Sequence, residues 1–228
     1  REYHPPVVTE VYSGEGEVIG RFWEEKRIVV PLDRLPKHLI QAFIAAEDAR
    51  FYEHEGVDVV SILRALINNA LAGRIEQGGS TITQQVAKSL LLKDTEKTYR
   101  RKAREATLSL QIEKEFSKER ILYLYLNQIY LGQGAYGVEA AARTYFEKNA
   151  SELNLAESAM LAGLTQAPSR YSLFLHFSRA KIRQKYVLER MREETFITER
   201  EEKEALASPI QINRAAESSF DKAPYFTE

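Results

Sequence analysis

The hydrophobic and polar positions divide the chain into a short β-rich start and a long helical remainder. Up to residue 33, the segments VVTEVY, EVIGRFW and RIVVPL have the composition and spacing of short strands, with a turn between the first two. From Leu35 onward the apolar residues recur at helical spacing, and in PKHLIQAFIAAEDARF one stripe contains Leu39, Ile40, Phe43, Ile44 and Phe51. The pattern predicts a mainly α domain of about nine helices with a small N-terminal β element.

Capping residues predict several helix ends. Asp58 is expected to cap VVSILRALINNALAG, which would end at Gly73, and Gly56 is expected to end the helix before it. Ser117 and Asn154 are expected to cap two later helices. The later predicted helices are Thr81–Leu92, Thr98–Phe116, Ser117–Tyr130, VEAAARTYF, Asn154–Leu164, Ser178–Glu194 and Glu199–Ala207. The segment Lys93–Lys97 is polar and is predicted to act as a lid.

Composition excludes several classes of protein. With 228 residues and a formal net charge of −1, the chain is long enough for one good core and lacks the basic surplus of a dedicated nucleic-acid binder. It has no cysteine, so disulfide frameworks and thiolate metal sites are excluded, and its four histidines form no obvious metal set. No run of apolar residues reaches the roughly 20 needed for a membrane span.

The segment GGSTITQQVAK, from Gly78 to Lys88, interrupts the helical pattern with polar residues. Glycines allow a close approach to a ligand, and the hydroxyl and amide side chains supply neutral hydrogen-bonding groups. These side chains are Ser80, Thr81, Gln84 and Gln85. Lys88 adds a cation suited to phosphate. Two carboxylates bracket the segment, Glu47 in EDARFYEHEGVD and Glu105 in RKARE, and together they favour group transfer from a phosphorylated donor.

Glu47 is the first candidate for a catalytic residue. The ordinary interpretation is a solvated carboxylate paired with Arg50. However, Asp48, His54 and Asp58 gather polar groups beside an apolar helix face, and a partly desolvated carboxylate has a raised pKa and serves as a general base. Asp48 and His54 are expected to organise the site.

Lys88, Arg101 and Lys102 are the candidates to neutralise a departing pyrophosphate, which needs cations more than a strong general acid. For Arg101, the alternative is a surface pair with Glu105, which would contribute only about 0.3–0.5 kcal/mol. Its position after the polar segment favours phosphate contact. Glu105 would steady the cations, orient the substrate or assist charge development, and the sequence leaves these three roles open.

Four motifs occur in order: EDARFYEHEGVD, GGSTITQQVAK, RKARE and KERILYLYLNQIYLGQGAYG. Together they resemble those of the peptidoglycan glycosyltransferase domain of class A bifunctional penicillin-binding proteins and their monofunctional relatives. The resemblance covers about Leu35–Glu194, and AESAMLAGLTQAPSRYS falls where that family carries a similar helix and loop. It implies a lysozyme-like, two-lobed helical domain with a long cleft. We expect the domain at 34–207, a β or linker segment at 1–33, and at 208–228 the start of a linker to an absent transpeptidase domain.

The resemblance also implies an activity, the polymerisation of lipid II. Glu47 would activate the 4-hydroxyl of the acceptor sugar, which attacks the anomeric carbon with inversion and expels the lipid pyrophosphate, and Glu105 matches the second catalytic carboxylate of the family. The implied substrate-binding residues are Asp48, His54, Ser80, Thr81, Gln84, Gln85, Lys88, Arg101 and Lys102. No cofactor is required by the sequence, and a divalent cation such as Mg²⁺ is compatible with it but not indicated.

The implied partners are lipid II, the growing glycan chain and a membrane surface, with no nucleic acid. Inhibition by phosphoglycolipid antibiotics of the moenomycin type is also implied. The expected location is the outer, periplasmic face of the bacterial cytoplasmic membrane, with the membrane anchor absent from this chain. The segment VVSILRALINNALAG is either an ordinary core helix or part of a juxtamembrane apolar lobe, and the sequence leaves both open.

Two other functions compete with glycosyl transfer. A lytic glycosidase of the same fold would use the glutamate as an acid, but a neutral glycan offers no pyrophosphate for the cations. A non-catalytic module that binds cell-wall glycan or lipid II would not need Glu47. Two Ser-x-x-Lys strings, at Ser178 and Ser219, lack the Ser-Asp-Asn and Lys-Thr-Gly motifs of acyl-serine transpeptidases and are rejected as such.

Overall fold

The computed structural model describes residues 9–12, 18–22, 26–64, 79–91 and 99–213. Two short strands, β1 (Thr9–Tyr12) and β2 (Val18–Phe22), form an antiparallel pair. A third strand, β3 (Lys26–Arg27), pairs in parallel with the later strand β4 (Ala135–Tyr136). The predicted small β element at the N-terminus is therefore confirmed.

Eight α-helices carry the fold within the described ranges, which confirms the mainly α prediction. They are α1 (Lys37–Glu47), α2 (Ile82–Leu91), α3 (Tyr99–Glu115), α4 (Lys118–Gln128), α5 (Val138–Phe146), α6 (Leu155–Leu164), α7 (Phe177–Glu193) and α8 (Glu199–Ala207). Residues 59–64 are helical as well. The predicted lid Lys93–Lys97 and the predicted helix end at Gly73 lie outside the described residues.

Helix α6 lies at the centre of the molecule, between α1 and α7. Its sequence, LAESAMLAGL, is buried at every position after Leu155, so no face of it is available to solvent. Asn154 caps its N-terminus as predicted, because the Asn154 side chain accepts a hydrogen bond from the Glu157 amide at 2.9 Å and the Glu157 carboxylate accepts one from the Asn154 amide at 3.0 Å. The chain leaves α6 at Thr165, directly beside the end of α1.

The segment that follows α1 differs from the prediction. The helix expected over PKHLIQAFIAAEDARF ends at Glu47, because Asp48 has φ −159° and ψ 70° and its side chain bonds groups elsewhere in the fold. Phe51 is fully buried as expected, but it reaches the core from a turn. The expected role of Gly56 as the end of this helix is wrong. A Cβ at Gly56 would lie 2.7 Å from the carbonyl carbon of Ser109, so the glycine is where α3 packs closely on the turn.

Helix α4 begins as predicted, with the Ser117 hydroxyl accepting from the Arg120 amide at 3.3 Å. It ends at Gln128 and not at Tyr130. Near the end of this helix, Asn127 bonds a segment that lies outside the helices. Its side chain accepts from the Val30 amide at 2.8 Å and donates to the Val30 carbonyl at 3.0 Å, which fastens the extended segment after β3 to the helical core.

The start of the segment VVSILRALINNALAG is exposed. The Asp58 carboxylate accepts from the Ser61 amide at 3.0 Å, as expected of an N-cap. Val59, Val60 and Leu63 are 61%, 50% and 55% exposed, so this part is not a core helix, and its continuation lies outside the described residues. No helix in the described part of the chain is both long enough and apolar enough to cross a membrane.

Candidate active site

A cleft of about 790 Å³ runs between the end of α1, helices α2 and α3, and one face of α7. It gathers sequence-predicted site residues from three separate stretches of the chain. Those that line the cleft are Glu47, Asp48, Ser80, Thr81, Gln84, Gln85, Lys88, Arg101, Lys102 and Glu105. Among the predicted residues, His54 does not line the cleft and lies behind Asp48.

Asp48 and His54 form a buried pair that fixes the start of α2. The His54 Nε2 atom lies 3.0 Å from each carboxylate oxygen of Asp48, and the Ile82 amide donates to Asp48 Oδ2 at 2.9 Å. The Gly56 amide donates to His54 Nδ1 at 3.1 Å, so Nδ1 is an acceptor and the ring proton is on Nε2, facing Asp48. A carboxylate at the first amide of a helix satisfies a donor that has no partner within the helix. The pair therefore holds one wall of the cleft in place from behind.

Thr81 and Gln84 complete the same helix start. The Gln84 amide donates to the Thr81 hydroxyl oxygen at 3.1 Å, and the Thr81 amide donates to the Gln84 side-chain oxygen at 3.2 Å. The Thr81 hydroxyl donates in turn to the Gly56 carbonyl at 2.6 Å. Both side chains are 2% exposed. Their hydrogen bonds are thus committed largely to holding α2, with their polar edges at the cleft wall.

The Glu47 carboxylate is held at the last residue of α1 by a donor on each oxygen. Gln85 Nε2 donates to Oε2 at 2.7 Å, and the Thr165 hydroxyl bonds Oε1. Burial raises the pKa of Glu47, and the hydrogen bonds from Thr165 and Gln85 and the charge of Arg183 only partly oppose that rise. The nearby Asp48 raises the pKa of Glu47 further. A fixed carboxylate with a raised pKa has the properties of a general base.

Glu105 lies between two of the predicted cations. Its carboxylate oxygens are 3.2 Å from Arg101 Nε and 3.1 Å from Lys102 Nζ, and its side chain is 5% exposed. The alternative interpretation of Arg101 as a member of a surface pair is therefore wrong in one respect, since the pair with Glu105 exists but is not on the surface. Lys102 also donates to the Ser80 hydroxyl at 2.7 Å.

Lys88 is exposed and lies on the cleft wall. It follows Gln85 by three residues on α2, so the two side chains project from the same face of the helix. This face therefore places a cation about one helical turn along α2 from Gln85, the residue that bonds Glu47.

Several cleft residues were not found from the sequence. Thr165 and Gln166 lie in the stretch AESAMLAGLTQAPSRYS, but no property of a single threonine or glutamine there indicates a site. Arg183 and Tyr186 come from α7, where the Arg183 guanidinium lies 4.1 Å from the centre of the Tyr186 ring. Charged residues on an amphipathic helix usually indicate a solvated face, and only packing of α7 on α1 turns this face into a cleft wall.

No cluster of three or more His, Cys, Asp or Glu side chains in the described ranges is placed to hold a metal ion.

The fold and the cleft define a class of protein, a helical domain whose cleft contains a half-buried glutamate together with lysine and arginine side chains. Comparison with known proteins gives the family. Residues 15–192 match the family model described as transglycosylase, so the chain belongs to the transglycosylase family. The resemblance to the glycosyltransferase domain of class A penicillin-binding proteins is confirmed.

Three relatives illustrate the similarity, and each is a larger protein. Penicillin-binding protein 1A of Aquifex aeolicus is 49% identical over 224 residues, covering 98% of this chain and 30% of the relative. Penicillin-binding protein 1A of Neisseria flavescens is 47% identical over 228 residues, with 100% and 28% covered. Among solved structures, penicillin-binding protein 1A from Haemophilus influenzae matches with a TM-score of 0.57 at 27% identity, covering 99% of this chain and 25% of that one. The chain thus spans under a third of the length of these relatives.

Proposed function

We propose that this domain is a peptidoglycan glycosyltransferase that polymerises lipid II into glycan strands. The observation that carries the proposal is the cleft itself, in which the half-buried carboxylate of Glu47 shares one cavity with Lys88, Arg101 and Lys102. A general base suits an acceptor hydroxyl, and the cations suit a pyrophosphate leaving group. The family membership supports the same reaction.

In the proposed reaction, Glu47 takes the proton of the acceptor 4-hydroxyl. The acceptor oxygen then forms a bond to the anomeric carbon of the donor from the face opposite the leaving group, so the configuration inverts. The bond between that carbon and the pyrophosphate oxygen breaks, and its electron pair leaves with the lipid pyrophosphate. The hydrogen bonds from Gln85 and Thr165 hold Glu47 in place for this step.

The cations stabilise the charge that develops on the pyrophosphate. Lys88 projects into the cleft from the Gln85 face of α2, while Lys102 is held at Ser80 and Glu105. Among the three roles left open for Glu105, its two ion pairs support the first, that of steadying Arg101 and Lys102. The side chains of Ser80 and Gln85 would hold sugar or phosphate oxygens at the same wall, while Thr81 and Gln84 hold the start of α2.

The proposal is tested by incubating the chain with labelled lipid II in detergent and separating the products on a gel. We expect polymer from the wild type and none from Glu47→Gln, because the amide keeps the shape of the side chain but cannot accept the proton. The matched control is Glu115→Gln, which changes an exposed glutamate at the end of α3 in the same way and should leave the yield unchanged.

The other outcomes separate the competing functions. Shortening of preformed glycan with no polymer from lipid II would refute transfer and favour a lytic glycosidase. Equal polymer from the wild type and Glu47→Gln would refute Glu47 as the base. Binding of lipid II without turnover, unaffected by Glu47→Gln, would indicate a binding module.

We further propose that the domain meets the membrane through the apolar patch formed by Val59, Val60, Ile62 and Leu63. These side chains are 37–61% exposed, and such a group of neighbouring apolar side chains on a surface is typical of a membrane or protein contact. Co-sedimentation with phospholipid vesicles should weaken in Val59→Ser with Leu63→Ser. The change Leu175→Ser, at an apolar residue that is 67% exposed elsewhere, should have no effect.

A cellular location, an inhibitor and domain boundaries are proposed as well. The proposed location is the outer face of the bacterial cytoplasmic membrane. The proposed inhibitor is a phosphoglycolipid of the moenomycin type, because its phosphate group would bind the cations Lys88, Arg101 and Lys102 of the cleft. The proposed domain boundaries are 34–207, with 208–228 as the start of a linker to a transpeptidase domain.

A further inference from the structure

The hydroxyl of Thr165 is within hydrogen-bonding distance of two acceptors. One is Oε1 of Glu47, and the other is the carbonyl oxygen of Ala162, at 2.8 Å. A threonine hydroxyl has one proton, so it can donate to only one of the two at a time. The acceptor of this proton therefore depends on whether Glu47 is itself protonated.

We propose that Thr165 is a positioning residue whose hydroxyl turns between Glu47 and Ala162, so that the general base stays held in both of its protonation states. With Glu47 ionised, the hydroxyl donates to Oε1. With Glu47 protonated, the carboxylic acid donates to the threonine oxygen and the hydroxyl donates to the Ala162 carbonyl. This role rests on the proposed function, because only a base that gains a proton in each turnover needs it.

The groups around Thr165 allow its hydroxyl to rotate at little cost in free energy. The Ala162 carbonyl also accepts from the Thr165 backbone amide at 3.4 Å, so it keeps a donor when the hydroxyl turns to Glu47. Thr165 is the C-cap of α6 with helical backbone angles, φ −53° and ψ −38°. Since α6 is buried throughout and packs on α1, the hydroxyl oxygen is held in place while its hydrogen rotates. The stronger hydrogen bond is the one to the charged carboxylate, so the hydroxyl favours ionised Glu47.

Other charged groups also act on Glu47. Arg183 on α7 favours its ionised form, and the neighbouring Asp48 opposes it. Tyr125 on α4 is buried close to Glu47, and burial raises the pKa of its phenol, which therefore carries no charge at the pH of interest. The other ionisable groups that line the cleft lie on four parts of the chain. They are Lys88 on α2, Arg101, Lys102 and Glu105 on α3, Tyr186, Glu189, Arg190 and Glu193 on α7, and Arg50, Asp58 and Arg64 after α1. None of these is altered by a substitution at Thr165.

The direct test measures the titration of Glu47 in the protein alone. The side-chain carboxyls of glutamate are labelled with carbon-13, and the Glu47 signal is identified by its absence from Glu47→Gln. In Thr165→Val we expect the pKa of Glu47 to move upward, because the hydroxyl that favours the ionised form is gone. Thr165→Ser should restore the wild-type titration. The matched control is Thr107→Val. Thr107 occupies an exposed position of α3, and its hydroxyl donates to the Ala103 carbonyl at 3.0 Å and not to Glu47.

The activity assay gives a second readout. The acid limb of the pH dependence of lipid II polymerisation should move to higher pH in Thr165→Val. At pH values below the pKa of Glu47, the rate of Thr165→Val should be roughly ten-fold lower than that of the wild type. A factor of this size is expected from the loss of one hydrogen bond to an ionised group. Thr165→Ala carries the same prediction and replaces the valine variant if its branched side chain disturbs α6.

The results separate this inference from the proposed function. An unchanged Glu47 titration in Thr165→Val and Thr165→Ala would overturn the inference, as would a shift that Thr165→Ser fails to reverse. A reversible shift of the titration in a protein that polymerises nothing would support the contact but refute the proposed function.

Discussion

Replacing Gly56 with alanine tests how closely the turn after α1 is packed on α3. Gly56 has φ +91°, and a Cβ at this position would lie 2.7 Å from both the carbonyl carbon and the carbonyl oxygen of Ser109. The obstacle is backbone in the middle of a long helix, which cannot rotate away as the end of a side chain can. We therefore expect Gly56→Ala to displace α3 from the turn.

The magnitude has two parts. A residue other than glycine at positive φ costs about 1–2 kcal/mol. Forcing an extra carbon into a packed site costs about 1–3 kcal/mol more. Together they predict that Gly56→Ala lowers the free energy of unfolding by roughly 2–5 kcal/mol. For a chain of this length, each kcal/mol corresponds to about 2–4 °C in Tm.

The structure offers a control for the backbone part alone. Gly134 also has a positive φ, +68°, but a Cβ there would meet nothing within 4 Å. Gly134→Ala should therefore cost only the backbone part, about 1–2 kcal/mol. Urea unfolding followed by circular dichroism measures both variants. If Gly56→Ala is destabilised no more than Gly134→Ala, the close approach of α3 to the turn is refuted.

Three further predictions concern the site. Lys88→Ala should reduce both the affinity for lipid II and the rate of polymerisation. The control Lys203→Ala, which changes an exposed lysine on α8, should change neither. If Lys88→Ala keeps both its affinity and its turnover, the proposed contact with pyrophosphate is refuted. Glu105→Gln removes the negative charge that Arg101 and Lys102 share, so it should lower the free energy of unfolding, measured in urea, by about 1–3 kcal/mol. The control Glu204→Gln, in an exposed ion pair, should change it little. Burial raises the pKa of Glu47, so the ionised carboxyl opposes folding above that pKa and wild-type stability rises as pH falls through it. Glu47→Gln should accordingly raise Tm at neutral pH and lose this dependence, and an unchanged Tm at every pH would contradict the burial of the charge.

The sequence determined the local features of this protein. Helix starts at Ser117 and Asn154 were predictable because a capping side chain bonds an amide only three residues away, and the structure has both bonds. The motifs likewise grouped Glu47 and Lys88 as candidate residues of a single site, because the motifs of a family follow one another in a constant order along the chain. The same local reasoning failed at Gly56, because its close neighbour Ser109 is distant in the chain. Nor could local reasoning have found the hydrogen bonds of Asn127 to Val30, because these two residues are also distant in sequence.

Only the tertiary structure decided what surrounds Glu47. Its partner Gln85 comes from α2 and its partner Thr165 from the end of α6, and the sequence separations are 38 and 118 residues. Packing of α1 on α6 and α7 also brings Arg183 close enough to act on its charge. Periodicity and capping report contacts along one helix, whereas the properties of a buried carboxylate depend on which other helices close over it. The sequence therefore predicted Glu47 as the candidate base, and the packing of distant helices determined how its carboxylate is held.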